Sequence, residues 1–245
     1  MKKLFLFLSF LLILFSAGAQ DTESIAKFQF GMKASPGICW LKSNTKNTSP
    51  DGSLLRASYG FIVNYKLSNN YFLATGINAA YKGGKLDRKF DPITTVVNSN
   101  DSTVTVESFQ TLRTAYVELP VTMLMKTKEI GYIKYFLQVG VAPGINLRAN
   151  YDETTQTKIV SPTTDRTLEE TVTEEDIAED INLFNLSMQI GGGIEYNLSG
   201  STSLTLGLSF SNGLIKITDK KAENDVLKDS KLFSNLLSLD IGILF

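Results

Sequence analysis

The chain has 245 residues, a formal net charge of −1, one cysteine and no histidine. That charge balance excludes the basic surface of a nucleic-acid-binding protein. The missing histidine excludes Ser-His-Asp and Cys-His catalysis and removes the commonest zinc ligand, while the lone Cys39 suits a small packed residue.

Met1-Lys2-Lys3 is a short basic segment, Leu4 to Phe15 is apolar apart from Ser9, and Ala17-Gly18-Ala19 has the small-x-small form of a cleavage site. This order predicts a secretory signal peptide over 1–19, cut near Ala19/Gln20, and a single mature domain over 20–245. Losing Lys2 and Lys3 takes the net charge from −1 to −3. No cysteine stands directly after the cleavage site, so no lipoprotein anchor is expected.

After residue 20 the dominant period is two, as in half-buried strands. The first predicted strand is about 28–41, with Phe28, Phe30, Met32, Ile38 and Trp40 on one face. The second is about 55–67, with Leu55, Tyr59, Phe61 and Val63 outward and Arg56, Ser58, Gly60 and Asn64 inward. The third, about 71–82, sets Tyr71, Leu73, Ile77 and Tyr81 against Gly76 and Asn78. The fourth, about 111–125, sets Ala115, Val117, Leu119, Val121 and Met123 against Thr114, Glu118 and Thr122. The fifth, about 132–148, alternates Tyr135, Leu137, Val139 and Val141 with Lys134, Gln138, Gly140 and Arg148. The sixth, about 182–198, alternates Phe184, Leu186, Met188 and Ile190 with Asn185, Ser187, Gln189 and Glu195. The seventh, about 202–211, alternates Leu204, Leu206, Leu208 and Phe210 with Ser203, Thr205, Gly207 and Ser209. In the last, Phe233, Leu237, Leu239, Ile241, Ile243 and Phe245 share one parity, Asn235 interrupts it, and Leu236 and Leu244 fall on the opposite one.

Short connections (68–70, 126–131, 199–201) alternate with long ones (about 42–54, 83–110, 149–181 and 212–232). Such alternation, with an apolar and a polar face on each strand, predicts an all-β fold: an eight-stranded antiparallel transmembrane up-and-down β-barrel of an outer membrane. An even strand count puts both termini at one end, expected to be periplasmic, with the long loops extracellular. Outward aromatics at two heights, Phe28, Tyr65, Tyr71, Tyr135, Tyr196 and Phe245 below and Trp40, Tyr59, Tyr81, Phe184, Phe210 and Phe233 above, fit two interfacial girdles. Pro36, Pro120 and Pro143 cannot donate to a ladder, so each predicts a bulge or break, with a parity shift near it.

Several phrases carry a resemblance. Gly31-Met32-Lys33-Ala34-Ser35-Pro36-Gly37-Ile38, Leu67-Ser68-Asn69-Asn70-Tyr71-Phe72-Leu73-Ala74-Thr75-Gly76, Tyr81-Lys82-Gly83-Gly84-Lys85, Tyr116-Val117-Glu118-Leu119-Pro120-Val121 and Gly140-Val141-Ala142-Pro143-Gly144 together resemble the PorT-like family of outer-membrane β-barrel proteins. The resemblance covers most of the mature chain except the large loops. It implies the fold and the compartment. The family takes its name from a protein needed for export through the type IX secretion system, and it brings no catalytic motif to match.

The inward parity is expected to carry a polar network in the lumen: Lys33, Arg56, Arg113, Glu118, Lys134, Gln138, Gln189, Glu195 and Asp240, with Arg148 beside them. Eight strands enclose only enough room for side chains. A salt-bridged plug is therefore the leading expectation and a narrow solute path the second. Glu118 and Glu195 as an acid/base pair is the third and weakest, because spacing does not bring them together. No catalytic, cofactor-binding or metal-binding residue is expected. The third long loop carries Glu169, Glu170, Glu174, Glu175, Asp176, Glu179 and Asp180, and the fourth carries Lys216, Lys220, Lys221, Lys228 and Lys231. These loops read as solvated, with mutual pairing or divalent-cation binding as alternatives, although calcium-loop spacing is absent. Asn47-Thr48-Ser49 matches a glycosylation sequon by chance. The terminal Phe245 is read as the outer-membrane assembly signal. Expected partners are outer-membrane lipid and lipopolysaccharide, the barrel-assembly machinery and, through the resemblance, secretion-machine proteins. The expected function is that of a small non-enzymatic barrel with a filled lumen. The alternatives are an accessory component of a secretion or envelope-assembly machine and a narrow passive channel.

Overall fold

The computed structural model describes residues 27–44, 48–90, 92–97, 100–160, 165–218 and 231–245. The predicted signal peptide, the sequon asparagine Asn47, and Lys220, Lys221 and Lys228 lie outside the described residues. Eleven strands form one sheet: β1 (Phe28–Ser43), β2 (Thr48–Lys66), β3 (Tyr71–Lys89), β4 (Ile93–Val97), β5 (Asn100–Glu118), β6 (Val121–Lys126), β7 (Ile133–Val160), β8 (Asp165–Asp176), β9 (Phe184–Ser199), β10 (Thr202–Gly213) and β11 (Leu232–Leu244).

Eight positions around this sheet close into a ring, because β11 pairs with β1. The order is β1, β2, β3, then β5 continued by β6, then β7, β9, β10 and β11, every neighbouring pair antiparallel. Closure removes the unpaired edges that a membrane does not tolerate. Phe30 and Phe245 exchange both backbone bonds, so the two ends of the barrel domain meet at one rim. The tight turns after β2, β6 and β9 lie at this same turn end.

The alternation read from the sequence holds around the ring. Phe28, Phe61, Ile77, Tyr135, Leu208 and Ile241 are among the exposed apolar side chains, while Asn64, Asn78, Thr122, Ser187 and Ser238 are buried. The aromatics form contacts at both heights: Phe28 with Tyr65 at 5.0 Å and Tyr132 with Tyr196 at 6.2 Å near the turn end, and Trp40 stacked on Phe210 at 6.0 Å near the other. Leu236 and Leu244, the exceptions to parity in β11, face inward and are buried.

The prolines correct the sequence expectation in part. Pro36 shifts nothing: β1 keeps one register against β2 from Phe28 to Trp40 and one register against β11. Phe30 faces β11, so Pro36, six residues on, turns its missing donor toward β11, where the ladder skips Ser35 and Pro36 without slipping. Pro120 does break a strand, separating β5 from β6. Pro143 lies opposite that break. Its carbonyl accepts from Leu119 N at 2.9 Å but it has no N–H to return, so two prolines share one ladder defect. Register against β9 runs straight through Pro143, and the parity shift in β7 comes higher, beside Leu147, where Ala115 pairs with Arg148 but Tyr116 pairs with Asn146.

The long connections differ most from expectation. A membrane crossing takes about 9–11 strand residues, yet β7 has 28 and β5 has 19. Much of the expected loop is therefore sheet: β3, β5 and β7 continue past the ring, with β4 hydrogen-bonded to β5 and β8 to β7. This sheet end carries the molecule's hydrophobic core. Leu41, Leu86, Leu112, Ala149, Tyr151, Ile177, Ile181, Ile217 and Leu232 pack in one buried cluster. A short 3-10 turn, Ala178–Asp180, brings Ile177 and Ile181 into it. Backbone bonds hold the segment in place, from Ile177 N to Ala149 O (3.1 Å), Asn182 N to Ile217 O (2.7 Å) and Ile217 N to Leu232 O (2.8 Å). The Asn182 side chain also donates to Lys216 O (2.9 Å) and Thr218 O (3.0 Å). The wall narrows here too, since a Cβ on Gly84 would lie 2.6 Å from Leu41 N, so the β1 and β3 backbones come together.

Candidate functional site

Two buried ion pairs organise the bore. Lys82 on β3 approaches Glu118 at the end of β5, Nζ to Oε1 2.6 Å, with side-chain exposures of 1% and 3%. The Lys82 Nζ also donates to Ser187 Oγ at 3.4 Å. Nearer the turn end, Lys126 on β6 lies 2.6 Å from Glu195 Oε2 on β9, again with both side chains buried. Its Nζ donates to Gln29 Oε1 at 2.8 Å and lies 4.6 Å from the centre of the Phe72 ring. A charge this deeply buried persists only when paired, and each carboxylate has its own lysine. Glu118 and Glu195 are thus not a carboxylate pair.

A pocket of about 450 Å³ opens at the turn end against Lys126, Lys134 and Glu195, but between the two ion pairs the remaining space is small. Lys33, Gln138, Gln189, Glu195 and Asp240 line a cavity of about 70 Å³. A second, of about 20 Å³, is lined by Lys33, Lys82, Glu118, Gln189 and Asp240. These hold a few waters rather than a continuous file of solute. Six of the nine predicted lumen residues, Lys33, Glu118, Gln138, Gln189, Glu195 and Asp240, therefore lie together. Lys134 sits at the turn-end rim, 3.0 Å from Glu129. The Lys134 ammonium bonds to the Glu129 carboxyl and holds it below the usual carboxylate range.

Arg113 and Arg148 are corrections. Arg113 has the parity of Ala115 and Val117 and faces out, paired to Asp152 at 2.5 Å. Arg148 is carried outward by the β7 bulge beside Leu147, and its Nε donates to Asn150 Oδ1 at 3.0 Å. Arg56 lies where residues 53–57 of β2 are unpaired from β3. It lines a pocket of about 230 Å³ together with Tyr81, Arg113, Arg148 and Asn150, rather than the two bore cavities.

Lys82 and Lys126, the two buried lysines among the described residues, were not placed in the network by sequence reading. Lys82 shares the inward parity of Asn78, and Lys126 shares that of Glu118 and Thr122. Carrying each alternation to the end of its strand would have found both.

A closed ring of eight antiparallel positions, apolar outside and ion-paired within, defines a transmembrane β-barrel. The chain belongs to the family described as outer membrane protein beta-barrel domain, which matches residues 18–219, and its compartment is the outer membrane. No curated protein matches it. Among solved structures it is similar to neisserial surface protein A (11% identity, 91% of this chain and 100% of that one, TM-score 0.40). It is also similar to the attachment invasion locus protein Ail of Yersinia pestis (10%, 89% and 99%, 0.28) and to the outer membrane protease OmpT of Escherichia coli (8%, 92% and 99%, 0.37). Likenesses this distant do not say what the chain does.

Proposed function

We propose that this is a small non-enzymatic integral barrel whose bore is sealed and whose projecting sheet does the work. The observation that carries the reading is the double closure: two buried ion pairs across the ring and, above them, the apolar plug built on Ile177 and Ile181. The nine packed side chains of this cluster support a bore without a permanent aqueous path. The termini and tight turns face the periplasm, and β4, β8 and the extended halves of β5 and β7 face outside. This orientation puts the acidic side chains Glu169, Glu170, Glu175 and Asp176 at the cell surface. A chain without histidine lacks the usual general base of a hydrolase, which supports the non-enzymatic reading.

Reconstitution in planar bilayers tests the sealed bore. Wild type should give no discrete conductance steps, and steady stepwise currents would overturn the reading in favour of a passive channel. The resemblance to the PorT-like family favours a second reading, an accessory component of a type IX-like secretion machine. That reading requires lost export of cargo proteins on deletion.

A further inference from the structure

The arginine pocket has no part in the sealed bore. Its floor is the outer wall of the barrel, where Tyr81 on β3, Ala115 on β5 and Arg148 on β7 are successive cross-strand partners. One row higher, Gly83, Arg113 and Asn150 are partners in the same order. Alanine and glycine keep the floor low, and the longer side chains stand around it. Arg56 enters from β2, through the stretch where β2 and β3 are unpaired.

Three arginines therefore line one pocket of about 230 Å³. Asp152 pairs with Arg113 from outside the lining; among the described residues no acidic side chain lines the pocket and none forms an ion pair with Arg56 or Arg148. The Arg56 Nε is buried and has no hydrogen-bond partner among the described residues. A donor left so is destabilising unless an acceptor fills the space. Guanidinium forks match tetrahedral oxyanions in charge and in planar donor geometry. Height specifies the source of the anion. Tyr81 belongs to the upper aromatic girdle, its hydroxyl 3.4 Å from that of Tyr59, and Leu147 and Ile145 beside Arg148 are exposed on the membrane face. Girdle aromatics sit at headgroup level.

We infer that Arg56, Arg113 and Arg148 form a binding site for the phosphate of a phosphorylated glycolipid in the outer leaflet. The acyl chains of that lipid would lie against Ile145, Leu147 and the neighbouring apolar wall. The inference rests on the orientation proposed above, which surface labelling of an epitope in β8 tests separately.

Native mass spectrometry of the full mature barrel in detergent tests it, with bis-phosphorylated lipid A and its dephosphorylated form as probes. Wild type should retain phosphorylated lipid A at least fivefold more than the dephosphorylated form. Arg113→Gln/Arg148→Gln should remove that preference. Lys89→Gln/Lys158→Gln, the same charge change at exposed positions elsewhere, should keep it. Arg56→Gln alone should reduce it, and every variant must first show the heat-modifiable mobility of a folded barrel. Equal retention of the two lipids by wild type would overturn the proposal. So would an unchanged preference in the arginine double variant, or saturation of the site by inorganic phosphate with no preference among lipids.

Discussion

Lys82→Met should destabilise the barrel by about 3–5 kcal/mol, because it leaves Glu118 charged and alone inside the bore. At 2.6 Å the pair has a Coulomb attraction of about 6 kcal/mol at an effective dielectric of 20. Desolvating two side chains that are 1% and 3% exposed offsets most of it, so the intact pair contributes little net. Cutting one partner removes the attraction and leaves the desolvation cost of the other. Replacing both, as Lys82→Met/Glu118→Leu, should then recover most of the loss, to within about 1–2 kcal/mol of wild type. Urea unfolding in phospholipid vesicles reads these differences. Trp40, the sole tryptophan, reports from the upper girdle, where it stacks on Phe210. A single substitution costing under about 1 kcal/mol would refute the buried-pair reasoning, and so would a double variant that loses the sum of both singles.

Three further predictions follow from other parts of the molecule. Leu206 faces lipid and Thr205 lines the bore cavity, so Leu206→Arg should cost about 2–4 kcal/mol and impair assembly. Thr205→Arg should be milder, and equal tolerance in an assembly assay would contradict the faces assigned to β10. Ile181→Asp puts a carboxylate into the plug and should raise amide exchange across 177–183 by at least tenfold while the ring strands keep their protection; unchanged exchange there would show that the plug does not depend on this side chain. The Glu129 carboxyl is depressed below its ordinary 4.5 by Lys134. Its contribution to stability is therefore present above 4.5 and fades as pH falls through the lower folded value. Lys134→Gln should return the Glu129 titration, followed by carbon-13 NMR, toward 4.5; a midpoint that does not move would remove Lys134 as the cause.

The ring was legible in the sequence because lipid and lumen impose opposite demands on alternate residues. Every one of the eight predicted stretches corresponds to a ring position, and Glu118, Gln138, Gln189, Glu195 and Asp240 line the bore cavities. Three things were not legible. Proline gives no sign of which neighbour its missing donor faces, so the harmless Pro36 and the strand-breaking Pro120 look alike. The bulge beside Leu147 carries no glycine or proline, and it alone reverses Arg148. Beyond the membrane the polar alternation of Thr154, Gln156 and Lys158 looks like loop, and only pairing with β5 and β8 makes it strand. The plug was missed because Ile177 and Ile181 sit in an acidic segment whose charges suggested solvent.

Closure of β11 onto β1 underlies everything above, and one substitution tests it. Cys39 faces Leu236 across that pair, in a position whose backbone bonds point away from the shared edge, where side chains approach most closely. Leu236→Cys, oxidised in the folded state and then unfolded, should run as a single chain with a disulfide-shifted mobility that reductant reverses. Ser234→Cys and Ser238→Cys should not cross-link to Cys39. Failure of Leu236→Cys to cross-link, or preferential cross-linking of either neighbour, would contradict the ring and its register.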